Sequence, residues 1–183
     1  MIKRYIATIV ALLTLCIASV CNADGSVTPD ECYIYNADKI QLGYQTSVEE
    51  TYPILGEVLS FVQGVPADGY IPMYAICEQG TIWLDDISGH ATRSTIAHIE
   101  RVIFTKKDVY TTKGIHIGDD VQKVYDAYGY PVTSWDNRMP AYNGIVSHWI
   151  IYGPVGGQLK HLDFGVKNGK VVAICTSQTA GGL

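Results

Sequence analysis

His161 and Asp163 stand two residues apart, which places them on one face of a strand, and they are the pair best spaced for acid–base or metal chemistry. Asp85 and Asp86 hold the equivalent place in an earlier stretch, with His90 and His98 following. A metal site needs three or four such groups converging. The chain has no His-x-x-x-His, no zincin-type Glu motif and no calcium-loop spacing, so neither a metal nor another cofactor is expected. Cys175 with a histidine would make a nucleophilic pair, yet it follows the apolar run Val171 to Ile174, which predicts a buried, inert thiol. Gly153-Pro154-Val155-Gly156-Gly157 lacks the Lys-Ser/Thr ending that holds phosphate, and no Gly-x-Ser-x-Gly occurs. What remains is recognition. Tyr74, Trp83, Trp149, Tyr152 and His161 all fall in strand-like runs. Trp and Tyr at an interface centre supply much of binding energy at low entropic cost. The competing assignment makes the tryptophans core residues, because strand register is not fixed by sequence alone.

The compartment is read from the N-terminus. Met1-Ile2-Lys3-Arg4 is basic, and Tyr5 to Val20 carries no charge and consists mainly of Ala, Ile, Leu and Val. This is signal-peptide grammar, too short for the roughly 20 residues of a bilayer span. Cys21-Asn22-Ala23 then offers small residues before Asp24, so residues 1–23 are expected to be a signal peptide cleaved after Ala23. An uncleaved anchor and a lipoprotein are the rival readings, the latter disfavoured because bulky residues precede Cys16 and Cys21. The processed chain is exported, periplasmic or extracellular. Loss of Lys3 and Arg4 from 13 basic residues leaves 11 against 18 acidic ones, a net charge of −7. That balance gives no footprint for nucleic acid or anionic membranes. Tyr is frequent at 13, which suits half-exposed sheet faces and binding surfaces alike. Cys32, Cys77 and Cys175 remain after processing, and an odd count allows one disulfide plus a free thiol, or none.

The elements that position these residues are written most clearly at Gly118 to Pro131. Val121, Val124, Tyr125 and Tyr128 share one helical face, Asp119 is the expected N-cap, and Gly129 with Pro131 ends the helix. Val48, Thr51, Tyr52 and Leu55 repeat the spacing upstream, with Pro53 as a kink and Gly56 in the place of Gly129. Further echoes follow in chain order at offsets of 73 to 78, which favours duplication. Each copy then reads as three strands: 70–78, 81–88 and 95–105, then 146–152, 159–167 and 170–178. Lys167-Asn168-Gly169-Lys170 is a tight hairpin, and Lys106 to Gly114 reads as the joint between copies. The expectation is an α+β fold, with residues 24–110 and 111–183 as two tandem helix-plus-antiparallel-meander repeats sharing one sheet, helices on one face.

The run from Gly118 to Pro131 resembles the Gly-x-Ser/Thr-x-x-x-Val-x-x-x-x-Gly-x-Pro opening of the SmpA/BamE-like and β-lactamase-inhibitory-protein-like (BLIP-like) superfamily. Gly118, Val124, Gly129 and Pro131 match, whereas Asp119-Asp120 replaces the hydroxylic cap; in the first copy only Gly43 and Gly56 hold. The resemblance implies tandem units, each a helical segment followed by an antiparallel sheet, whose sheets form a concave surface. It carries fold rather than a particular partner.

These readings converge on an exported non-enzymatic module that binds another exported or envelope protein through an open sheet face, in an inhibitory or envelope-assembly role. The alternatives are a small secreted hydrolase or ligand-binding enzyme using the His and Asp residues, and a structural envelope component. Aromatics over a shallow face favour binding; His and Asp converging in a deep pocket favour catalysis.

Overall fold

Alternation in 160–167 and the apolar run 171–175 build a long hairpin over residues 160–178. In the computed structural model, which describes residues 25–36, 45–47, 55–64, 71–85, 92, 96–106, 108–154 and 160–178, Asn168 and Gly169 take φ values of 51° and 73°. Both are left-handed, as a two-residue hairpin with right-handed strand twist requires. Twelve strands are described: β1 (Ser26–Val27), β2 (Ile34–Tyr35), β3 (Gln45–Ser47), β4 (Val58–Gln63), β5 (Met73–Cys77), β6 (Gly80–Asp85), β7 (Ile96–Phe104), β8 (Tyr110–Thr111), β9 (Thr133–Asp136), β10 (His148–Pro154), β11 (Lys160–Lys167) and β12 (Lys170–Gln178). One α-helix, α1 (Val121–Tyr128), is present among the described residues.

Ten strands form one sheet with the order β1-β10-β11-β12-β7-β6-β5-β4. The short strand β3 pairs with β7, and β9 pairs with β10. Only β1 runs parallel to its neighbour, so the sheet is mixed; β2 and β8 make a separate two-stranded sheet. At the centre, β7 and β12 pair antiparallel through Ile174↔Phe104 to Ser177↔Arg101. β3 pairs with the other end of β7, at Ile96, Ala97 and His98.

This architecture corrects the expected α+β fold of two helix-plus-meander repeats with helices on one face. The protein is mostly β, with one short helix among the described residues. At about 1.5 Å per residue, eight helical residues cannot roof a sheet this wide. Connections do so instead. On one face, α1 through Val124 and Tyr128, the Val27–Ile34 segment and Val109 and Ile115 cover Ile82, Leu84, Val102, Phe104, Ile150, Tyr152, Leu162, Phe164 and Ile174. On the other, residues 139–146, with a 3₁₀ turn at Pro140–Tyr142, cover Ile103, Trp149, Ile151, Ala173 and Cys175. No face is left wholly open. The upstream helix expected over Val48, Thr51, Tyr52 and Pro53 lies outside the described residues; Leu55 is buried in a turn ahead of edge strand β4. No helix among the described residues is long and apolar enough to cross a membrane. The signal peptide expected at residues 1–23 lies outside them.

The helix itself keeps the face read for it, with Val124 and Tyr128 buried and Val121 and Tyr125 packed on the core. Its cap is displaced by one residue. Asp120 is the N-cap and accepts the Gln122 N–H at 3.0 Å. Asp119 instead accepts the His116 N–H at 2.7 Å and pairs with Lys123 at 2.7 Å, closing the preceding turn.

Candidate functional site

Strand register assembles a lateral row of side chains on the face that residues 139–146 partly cover. Tyr74 of β5 faces Trp83 of β6, Trp83 faces Arg101 of β7, Arg101 faces Ser177 of β12, and Ser177 faces His161 of β11. Cross-strand partners share a face, so three of the five candidate residues, Tyr74, Trp83 and His161, stand in one row. Trp149 is on the same face but further along, register partner of Trp135 in β9. Tyr152 is on the opposite face, against Tyr128 and Phe164, with its hydroxyl donating to the Gly129 carbonyl at 2.8 Å.

Burial divides the set. Tyr74, Trp149 and Tyr152 are at most 2% exposed, and Trp149 donates its indole N–H to Asn137 Oδ1 at 3.1 Å. Such side chains hold the fold and present nothing to a partner. Trp83 and His161 are half-buried. Trp83 packs edge-on to Tyr74 at 5.1 Å and carries the Arg101 guanidinium over its ring at 4.6 Å, a cation–π geometry.

A pocket of about 360 Å³ opens at this point, lined by Trp83, Arg101, Trp135, Arg138 and Met139. The sequence holds three tryptophans (Trp83, Trp135, Trp149) and four arginines (Arg4, Arg93, Arg101, Arg138). Two of each meet here. Beneath the pocket lies Asp163, whose side chain is 3% exposed and whose Oδ2 is 3.8 Å from Arg101 Nη1. Burial pushes the Asp163 carboxyl up to about 6, against the opposing pull of Arg101 and of hydrogen bonds with Cys175 and Ser177. Burial, followed by the Arg101 charge, lowers the His161 imidazole, which favours its neutral form. Burial and the Asp163 charge push the Cys175 thiol well above its ordinary value.

The Cys175 alternative finds no supporting geometry among the described residues. Cys175 is register partner of Asp163, but an enclosed thiol held protonated is a poor nucleophile. Cys32, Cys77 and Cys175 are all buried and free, so of the two thiol readings the structure has the one without a disulfide. Asp85 and His98 are register partners whose side chains are outside the description, and Asp86 and His90 lie outside the described residues. Among the described residues no three His, Cys, Asp or Glu side chains converge as a metal site would require.

Sequence reasoning missed Arg101, Trp135, Arg138 and Met139. Two signals were available. Arg101 follows Glu100 as one of two charges in the otherwise largely apolar strand Ile96–Phe104, and Trp135 and Arg138 put two scarce residue types three apart in a stretch given no element. Comparison with protein-family models, with curated proteins and with solved structures finds no match to this chain.

Proposed function

We propose that this protein is an exported, non-enzymatic binding module whose contact point with another exported or envelope protein is the pocket formed by Trp83, Arg101, Trp135, Arg138 and Met139. The observation that carries this reading is the gathering of two indoles and two guanidiniums in one 360 Å³ pocket. Trp and Arg dominate the residues whose truncation weakens protein interfaces most. Trp135 is 40% exposed, so its ring is available to a partner without unfolding the sheet. Export is the part of the reading supported by the basic and apolar N-terminus.

The test uses the processed protein as bait in periplasmic extract or culture medium, followed by titration of the captured partner after purification. Trp135→Ala should weaken that association by about 2 kcal/mol with the melting temperature nearly unchanged. Trp149→Ala should instead cost roughly 3 to 5 kcal/mol of stability. Unaltered affinity in both Trp135→Ala and Arg138→Ala would remove the pocket from the interface.

A further inference from the structure

Among the described residues the Arg101 guanidinium has an ion pair but no hydrogen bond. Its nearest carboxylate oxygen, Asp163 Oδ2, is 3.8 Å from Nη1, beyond the roughly 2.7–2.9 Å of a charge-assisted hydrogen bond. Its Nε and the Nε1 of Trp83 are buried without an acceptor among the described residues. A buried donor left unpaired keeps its desolvation cost uncompensated, so an oxygen brought to this place gains more than it would at a solvated arginine. Arg101 is held by stacking over Trp83 at 4.6 Å and by its ion pair with Asp163. Arg138 stands on the other wall, exposed and without an ion pair among the described residues.

We propose that the pocket receives the carboxylate of an acidic side chain of the partner, flanked by an apolar residue that lies against Trp135 and Met139. This rests on the reading of the pocket as a protein-binding site and names the chemistry that enters it. Charge selects the class. Two guanidiniums and one buried carboxylate leave about one positive charge at the site when Asp163 is ionised. A monoanionic carboxylate neutralises it. A phosphate, at about −1.5 to −2 near neutral pH, overshoots and is repelled by Asp163. The apolar share of the lining needs a hydrophobic neighbour in the ligand, which an acidic segment of a folded protein supplies and a free inorganic anion does not.

The processed wild-type protein is titrated with three capped tripeptides, phenylalanines flanking glutamate, glutamine or phosphoserine, with tryptophan fluorescence and the arginine Nε–H resonances as readouts. The glutamate peptide should bind at least about tenfold more tightly than the glutamine peptide and more tightly than the phosphoserine peptide. Arg138→Gln should erase the glutamate preference. Asp163→Asn, which removes the internal competitor for Arg101, should strengthen glutamate binding several-fold, an effect that a merely structural Asp163 would not produce. Equal binding of glutamate and glutamine peptides overturns the proposal, as does preference for phosphoserine or for free phenylacetate over the peptide. Should a captured partner be lost in Trp135→Ala while the peptides fail to separate, the pocket is a docking site of other chemistry. Should the peptides separate while the partner ignores Trp135→Ala, the carboxylate site is real and docking lies elsewhere.

Discussion

Asp163 is a carboxylic acid whose proton affinity is altered by burial. Its carboxyl is buried, held up at about 6 against an ordinary 3.8, with Arg101 as the only nearby cation in the row. Between about pH 4 and 6 the folded protein therefore keeps a proton that the unfolded chain has released. Stability contributed by that proton is present at low pH, is lost as pH rises through this window, and is flat above it. Two units correspond to roughly 3 kcal/mol. Glu31 is lowered, desolvation being outweighed by Lys113 and Thr28. Asp119 is lowered too, its desolvation outweighed by the His116 N–H and Lys123. Both therefore favour the fold as pH rises, opposite in sign to Asp163, and they are common to wild type and variant. Denaturation of wild type and Asp163→Asn from pH 4 to 7 should show wild-type stability falling relative to the variant as pH rises from about 4 to 6, and a constant difference above. A constant difference across the series would mean that Asp163 does not titrate in this window. The pairing of His161 with Asp163 on one strand face was legible from their spacing, but their meaning was not, because burial decides a carboxylate's behaviour and burial is set by residues 139–146 folding over from elsewhere.

Among the elements, the strands with strong alternation or unbroken β-branched runs were the legible ones. β12 has the limits read for it, and β5, β6, β7, β10 and β11 lie within a few residues of theirs. β1, β2, β3, β8 and β9 escaped because two to four residues carry no periodicity, and an edge strand such as β9, exposed along its whole length, has no apolar face to announce it. The helix was read with its correct face but an N-cap one residue early, since both Asp119 and Asp120 have the chemistry of a cap and only the chain path chooses between them. Its other end was unambiguous. Gly129 has φ 76° and ψ −159°, a region essentially closed to residues with a Cβ. Its carbonyl also accepts the Tyr152 hydroxyl, tying the helix exit to β10. Gly129→Ala should therefore cost about 1 kcal/mol or more, seen as a lower melting temperature; an unchanged melt would show that the helix exit relaxes without penalty.

On the scale of the whole molecule, the expectation of a shared sheet met a sheet, while the expectation of two helix-plus-meander repeats did not. Echoed spacing records where apolar residues recur, and recurrence alone does not say whether a segment pairs at an edge or winds into a turn. The site suffered the same limit, since Arg101 and Arg138 belong to elements 37 positions apart and meet only because β6, β7 and β9 are brought to one face. The middle of that sheet depends on β12. A chain ended just before it would leave β7 and β11 each with an unpaired edge, the kind of template on which chains join one another. Such a truncation should aggregate in light scattering while the full chain stays dispersed, and a dispersed, folded truncation would show that β12 is dispensable. The same pairing sets a clock. Residues 101–104 are synthesised roughly seventy positions before the residues that flank them in β12, so contacts of long sequence separation must close last. The centre of the sheet thus cannot form until β12 has been made. If the protein is exported as proposed, a chain that has not yet delivered β12 still lacks the pairing that closes the middle of its sheet.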